Sequence, residues 1–145
     1  RYVDVLASHG IDVRGIEGSP DIENVRLSSL VKRYDLAYPL QPCDKYDWLL
    51  LLEVGEHIPR KFETTLFANI NCTAQRGAII SWARPGQGGN GHVNERSKKY
   101  VVSRMYDLKF EQTKYTNSIQ KSLRRASRLP WFRQNILVFS RMHAS

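Results

Sequence analysis

The stretch 47–59, DWLLLLEVGEHIP, constrains this chain more than any other. Four successive leucines, Leu49 to Leu52, belong in the middle of a sheet, and a run this apolar has no wet face, so it is expected to be covered on both sides. The run then turns to Glu53, Val54, Gly55, Glu56 and His57 and stops at Pro59. An apolar strand that ends in two carboxylates and an imidazole delivers polar groups to its own carboxyl end. In open α/β sheets that end is where ligands bind.

The rest of the chain reads as alternating helix and strand. Val3, Leu6 and Ala7 share a helical face, with Gly10 placed as a C-terminal cap. IDVRGIE, with Ile11, Val13 and Ile16, is a short strand, and GSPD turns into a helix with Ser19 as N-cap and Pro20 at its first position. LVKRYDL is a second strand and the leucine run a third. Pro59 opens a helix striped by Phe62, Leu66 and Ile70 with Phe67 beside them, and GAIISWA is a fourth strand. After a glycine-rich loop, Asn94 can cap a helix carrying Val101, Met105 and Leu108. Two last strands are expected around FEQTKYT and NILVFSR. Such alternation predicts an α/β sandwich with a mostly parallel sheet and helices on both faces.

With 145 residues and 41% hydrophobic content, the chain has material for one domain with a real core. No apolar run reaches the roughly 18 residues of a membrane helix, and RYVDVLASHG has no signal-peptide core. Elimination makes a cytoplasmic location, with no membrane partner, the default. Cys43 and Cys72 offer neither metal-ligand spacing nor a disulfide framework, so they read as half-buried free thiols, and no metal is assigned. Charge is unevenly spread. Residues 1–95 carry 10 Lys and Arg against 12 Asp and Glu; residues 96–145 carry 12 against 2, a net of +10. The second half therefore either meets an anion, whether nucleic acid, phosphate or carboxylate, or is a solvated basic face.

Three strand ends line up: Glu17 after VRGI, Asp35 after KRY, and Glu53 after WLLLL, followed by GEHIP. In this pattern the chain resembles the class I S-adenosylmethionine-dependent methyltransferases, a Rossmann-like fold, and within them the small-molecule subgroup with an E-h-h-E-H-h segment after the fourth strand. The resemblance runs from residue 1 to about residue 110. It implies S-adenosylmethionine as cofactor. Glu17, with Gly18 and Ser19, would meet the ribose hydroxyls; a carboxylate has two oxygens for a vicinal diol. Asp35 and the backbone of Leu36 would meet the adenine edge, and Glu53 and Val54 the methionine portion. His57 would sit near the methyl-transfer face or brace the helix entry.

The loop ARPGQGGNGHVN carries neither a Walker ending nor dinucleotide spacing. By the resemblance it would lie over the acceptor. Trp82, Gln87 and Asn94 are its candidate substrate contacts, although Trp82 reads equally as core. His92 joins His57 as a candidate catalytic group, able to take a proton near neutral pH. The stretch QKSLRRASRLPWFRQN, with arginines among Trp131 and Phe132, suits nucleic acid or a helical insertion that grips a small anion.

One element of the family is missing. Its sheet runs third, second, first, fourth, fifth, seventh, sixth, and the first strand with its glycine-rich turn should precede residue 1. The expectation is a single methyltransferase-like domain over 1–145, truncated at its N-terminus, with a cofactor side in 1–95 and a basic substrate side in 96–145. Its reaction would be methyl transfer to a small, anionic acceptor. The alternatives are a non-catalytic binding or partner protein and an RNA-directed enzyme. The fragment alone would be a poor enzyme and prone to self-association.

Overall fold

The computed structural model describes residues 2–19 and 28–142. The helix expected to start at Pro20 lies outside them. The chain divides into two compact units, residues 1–36 and 37–145.

The first unit holds α1 (Tyr2–Ser8) and two short strands, β1 (Gly15–Glu17) and β2 (Val31–Arg33). Gly10 closes α1 with φ +77°, its N–H donating to the Ala7 carbonyl at 2.9 Å, as the sequence implied. β1 and β2 pair in parallel, Glu17 opposite Arg33. Only the last three residues of IDVRGIE form the strand.

In the second unit, β3 (Tyr46–Leu52) leads through two single 3₁₀ turns, at 55–57 and 60–62, into α2 (Glu63–Thr73). β4 (Ala74–Ser81), α3 (Lys98–Asp107), β5 (Phe110–Glu111), α4 (Lys114–Ala126), α5 (Pro130–Asn135) and β6 (Leu137–Arg141) follow. Pro59 thus precedes α2 by a turn and does not begin it. α2 buries Leu66, Phe67 and Ile70; β4 and β6 contribute Ala78, Ile80, Val138 and Phe139, all fully buried. Apart from Ala78, each of these side chains is worth about 1.5–3 kcal/mol of transfer free energy. α3 is capped by Ser97, whose hydroxyl accepts from Tyr100 N–H at 3.2 Å, and it buries Val101 and Met105 one turn apart. Asn94 is therefore not the cap. α4 opens on a reciprocal Thr113–Thr116 capping box, so KYT begins a helix where the sequence suggested a strand.

The four-stranded sheet has the order β3-β4-β6-β5, with β3 and β4 parallel and β6 antiparallel to both of its neighbours. The leucine strand is its edge. Leu51 is buried, but Leu50 is 42% exposed, which corrects the expectation that both faces are covered.

Cys43 and Cys72 are joined in a disulfide, Cα to Cα 6.2 Å, which corrects the free-thiol reading. Among the described residues no helix is long and apolar enough to cross a membrane. The bridge spans a separation of 29 residues, from the segment before β3 to the end of α2. Loop-closure entropy for that span is about 3–4 kcal/mol. Replacing both cysteines by serine should lower unfolding free energy by about 2–4 kcal/mol. Urea denaturation of the variant against the oxidised parent measures it, and adding reductant should bring the parent down to the variant.

Candidate functional site

The first unit presents its site candidates at the carboxyl ends of β1 and β2. Glu17 is the last residue of β1, and its Oε1 accepts from Ser19 N–H at 2.9 Å. Gly18 has no room for a side chain, because a Cβ there would lie 2.7 Å from the Tyr34 carbonyl oxygen. Asp35 and Leu36 follow β2, Asp35 exposed and Leu36 half-buried.

The second unit gathers its candidates where the parallel strands β3 and β4 end. Glu53 leaves β3 in the left-handed region, φ +54°, which costs a residue with a Cβ about 1–2 kcal/mol. Its N–H donates to Ser81 Oγ on the neighbouring strand end at 2.9 Å. Val54 follows, half-buried. Gly55 then passes beneath the Trp82 indole so closely that a Cβ would come within 2.4 Å of the ring. Trp82 itself is 3% exposed, stacked on Phe67, with its N–H donating to the Asn94 carbonyl at 2.7 Å. The structure places it in the core.

The backbone carbonyl of Glu56 accepts from both Val93 and Asn94 N–H groups, each at 2.9 Å. This pairing folds the glycine-rich loop back onto the exit of β3 and sets His92 against His57, ring centres 5.1 Å apart and edge to face. His57 Nδ1–H donates to the Gly91 carbonyl at 3.2 Å, and His92 Nδ1–H to Glu95 Oε1 at 3.3 Å. Glu95 also accepts from Gly86 and Gly88 N–H, both at 2.7 Å. These backbone donors, Gly86 first, and His92 hold its carboxyl below the usual carboxylate range despite some desolvation. Gln87 is anchored too, its Oε1 accepting from Asn135 Nδ2 on α5 at 2.8 Å. The loop is a clamped element with little slack.

Asn94 is fully buried, and its Nδ2 donates to Glu63 Oε2 at 2.9 Å. Arg96 Nε reaches the same oxygen at 2.8 Å, and the Tyr100 hydroxyl donates to Oε1. Burial pushes the Glu63 carboxyl up, but donation from Tyr100, Arg96 and Asn94 outweighs it and holds the pKa below its ordinary value. Glu56, equally buried, has no such donors: neither of its carboxylate oxygens has a hydrogen-bond partner. Burial, reinforced by the charge of Glu53, pushes its pKa up from 4.5 to about 8. Sequence reasoning did not select Glu56. The signal was the E-x-x-E-H spacing of Glu53, Glu56 and His57, together with a second histidine in the loop that follows the next strand. Among the described residues, Glu56, His57 and His92 are the group whose potential metal-ligand atoms lie within 4.8 Å of one another.

A second feature sits on the basic half. Asn117, Gln120, Lys121, Arg124, Arg125 and Arg133 line an open cavity of about 530 Å³ without a carboxylate. Arg124 braces it by donating from Nε and Nη2 to the Ile136 carbonyl, at 3.0 and 2.7 Å. Burial and then the charges of Arg124 and Arg84 depress the pKa of Lys98, so cations crowd this side of the unit.

No protein-family model and no curated protein sequence matches the chain. Solved structures do. The magnesium protoporphyrin IX methyltransferase of Synechocystis PCC 6803, with bound S-adenosylmethionine, aligns over 94% of this chain and 62% of its own, at 19% identity and a TM-score of 0.59. The methyltransferase domain of a bacterial Hen1 aligns over 99% and 84%, at 14% identity and 0.57. A pericyclic reaction enzyme aligns over 98% and 40%, at 12% identity and 0.57. This chain thus spans less than two thirds of the first and the last of these. The fold is class I methyltransferase-like. The orders β2-β1 and β3-β4-β6-β5 reproduce that family's third-second and fourth-fifth-seventh-sixth strands.

The opposed environments of the two buried glutamates generate a pH prediction. Glu56 stays protonated in the fold while its unfolded counterpart ionises near 4.5. Its contribution to stability is therefore complete below pH 4.5, falls as pH rises, and is gone above about 8, with a slope of at most about 1.4 kcal/mol per pH unit. In a chelator-containing buffer, Glu56→Gln should flatten the decline between pH 5 and 8 seen in denaturation midpoints. An unchanged slope would remove Glu56 as its source.

Proposed function

We propose that the protein transfers a methyl group from S-adenosylmethionine to a small, anionic acceptor. The observation that carries this reading is the strand order, with Glu17, Asp35 and Glu53 each at or just beyond the carboxyl end of the strand that the family uses for its cofactor. The Synechocystis methyltransferase, which shares the architecture, was crystallised with that cofactor. On this reading Glu17, with Gly18 and Ser19, receives the ribose. Asp35 and Leu36 address the adenine, and Glu53 and Val54 the methionine portion.

The chemistry is an in-line displacement. The acceptor's nucleophile bonds to the methyl carbon as the carbon–sulfur bond breaks, and the sulfonium leaves as a neutral thioether. Most of the rate comes from alignment, with a base needed only for an acceptor that must lose a proton. His92 is equipped for that step: with Nδ1–H held by Glu95, its Nε2 keeps a lone pair to accept a proton. His57 steadies the loop through Gly91, and Gln87 ties the same loop to α5, whose Arg133 lines the basic cavity. That cavity favours the anionic acceptor. A polyanion is the second reading, supported by the +10 charge of residues 96–145 and by the likeness to a Hen1 methyltransferase domain.

Binding and turnover of variants in the full protein test this. Glu17→Ala should weaken S-adenosylmethionine binding by about tenfold, the equivalent of one charge-assisted hydrogen bond, and leave turnover at saturating cofactor nearly intact. A loss under about twofold removes the ribose role. His92→Ala should lower turnover and spare cofactor affinity. For the second reading, oligonucleotide affinity should collapse between about 50 and 200 mM salt if the basic face is only an electrostatic surface. Affinity that persists, with base preference, would favour an RNA acceptor.

A further inference from the structure

Methyl transfer as described leaves the exit of β3 unexplained. Glu56 is fully buried, yet both of its carboxylate oxygens lack a hydrogen-bond partner, as does the buried Oε1 of Glu53. The groups that face the Glu56 carboxyl are its own and Ala83's backbone amides and the carboxyl of Glu53, and buried carboxyl groups so poorly satisfied persist where a cation or ligand completes them. Beside them stand two imidazoles, with ligand atoms of Glu56, His57 and His92 all within 4.8 Å of one another.

The hydrogen bonds of the two rings point the same way. Both Nδ1 atoms face partners that only accept, the Gly91 carbonyl and the Glu95 carboxylate. Each neutral ring must then carry its proton on Nδ1 and its lone pair on Nε2. A ring nitrogen fixed by a carbonyl or carboxylate, with the other left basic, is how proteins orient a metal-ligating histidine. Glu95 is itself immobilised by the Gly86 and Gly88 amides, so the orientation of His92 is supported through two layers.

We propose that Glu56, His57 and His92 bind one divalent first-row transition-metal ion, with Glu53 supplying a second negative charge. Two imidazoles and a carboxylate suit Mn²⁺, Fe²⁺, Co²⁺ or Zn²⁺, and are a poor match for Mg²⁺ or Ca²⁺, which prefer all-oxygen sets. Three protein ligands leave coordination positions open, as in catalytic sites, and oxygen atoms of an acceptor are the natural occupants. The site lies wholly within the second unit; an ion bound there takes the His92 Nε2 lone pair, so that ring then serves as a ligand and not as a proton acceptor.

The test needs neither cofactor nor acceptor. The full chain is stripped with a chelator and titrated separately with Zn²⁺, Mn²⁺ and Mg²⁺ by calorimetry, with the paramagnetic resonance of free Mn²⁺ as a second readout. Zn²⁺ and Mn²⁺ should each bind at one equivalent per chain, and Mg²⁺ far more weakly. His57→Ala, His92→Ala and Glu56→Gln should each raise the dissociation constant about tenfold or more. Glu56→Gln keeps the shape of the neutral carboxyl and guards against simple loss of folding, which circular dichroism in chelator checks. His9→Ala, on the first unit, should bind as the parent does. Substoichiometric binding overturns the proposal. So does binding that all three ligand variants retain unchanged, or equal affinity for Mg²⁺ and Zn²⁺.

Discussion

The peptide carbonyl of Glu56 is the joint on which the second unit's site depends. A carbonyl oxygen has two lone pairs, and here both are used, by the amides of Val93 and Asn94. One acceptor thereby ties the end of β3 to the far end of the glycine-rich loop. The His57–Gly91 and Trp82–Asn94 hydrogen bonds reinforce the same junction, and together they set His57 against His92. The sharp backbone at this point follows from the same need. Glu53 turns through the left-handed region, and Gly55 slides under Trp82, so that the Glu56 carbonyl can face the loop.

Two buried glutamates, only seven positions apart, show how the surroundings decide the charge of a carboxylate. Glu63 is met by a guanidinium, an amide and a phenol, and remains ionised although buried. Its task is structural: it joins α2 to Asn94, Arg96 and α3, and so holds the loop's outgoing end. Neither oxygen of Glu56 completes a hydrogen bond, and burial outweighs the nearby backbone amides and pushes it toward the neutral form. A fold that can satisfy one buried carboxylate with three donors has left the other bare within reach of two histidines. That contrast is hard to attribute to poor packing, since the indole of Trp82 fits directly over the adjoining Gly55.

Local signals made much of the architecture legible. Strand ends at Glu17 and Glu53, the apolar stripe of α2 and the cap glycine Gly10 are set within a few residues of sequence, and the structure keeps them. What failed depended on distant partners. Leu50 looks like a two-sided core residue, but β3 is an edge strand of its sheet, which no local pattern reveals. Cys43 and Cys72 carry no diagnostic spacing; only the path of α2 brings them together. Asn94 has the chemistry of a helix cap, yet Ser97 lies closer to the first turn and Asn94 was needed by Glu63. Glu56 escaped notice because a buried carboxylate within an apolar run is defined by what fails to approach it, and sequence does not display absences.

The fold alone does not choose the reaction. A methyltransferase and a pericyclic reaction enzyme lie at TM-scores of 0.59 and 0.57 to this chain, and their difference must come from side chains mounted on a common frame. In this chain the equipment that could distinguish the two chemistries is concentrated in the second unit. A carbon–sulfur displacement needs alignment and at most one proton acceptor. It has no need for a buried carboxyl group such as Glu56 beside two oriented imidazoles. If the proposed metal ion fills that site, an acceptor would be recognised by more than charge, through oxygen atoms held in a fixed geometry. The basic cavity, braced by Arg124 on the Ile136 carbonyl, would then hold the distant negative portion of the same molecule. Specificity in such an arrangement comes from meeting both demands at once: a molecule with only the anion, or only the oxygen donors, satisfies half of it.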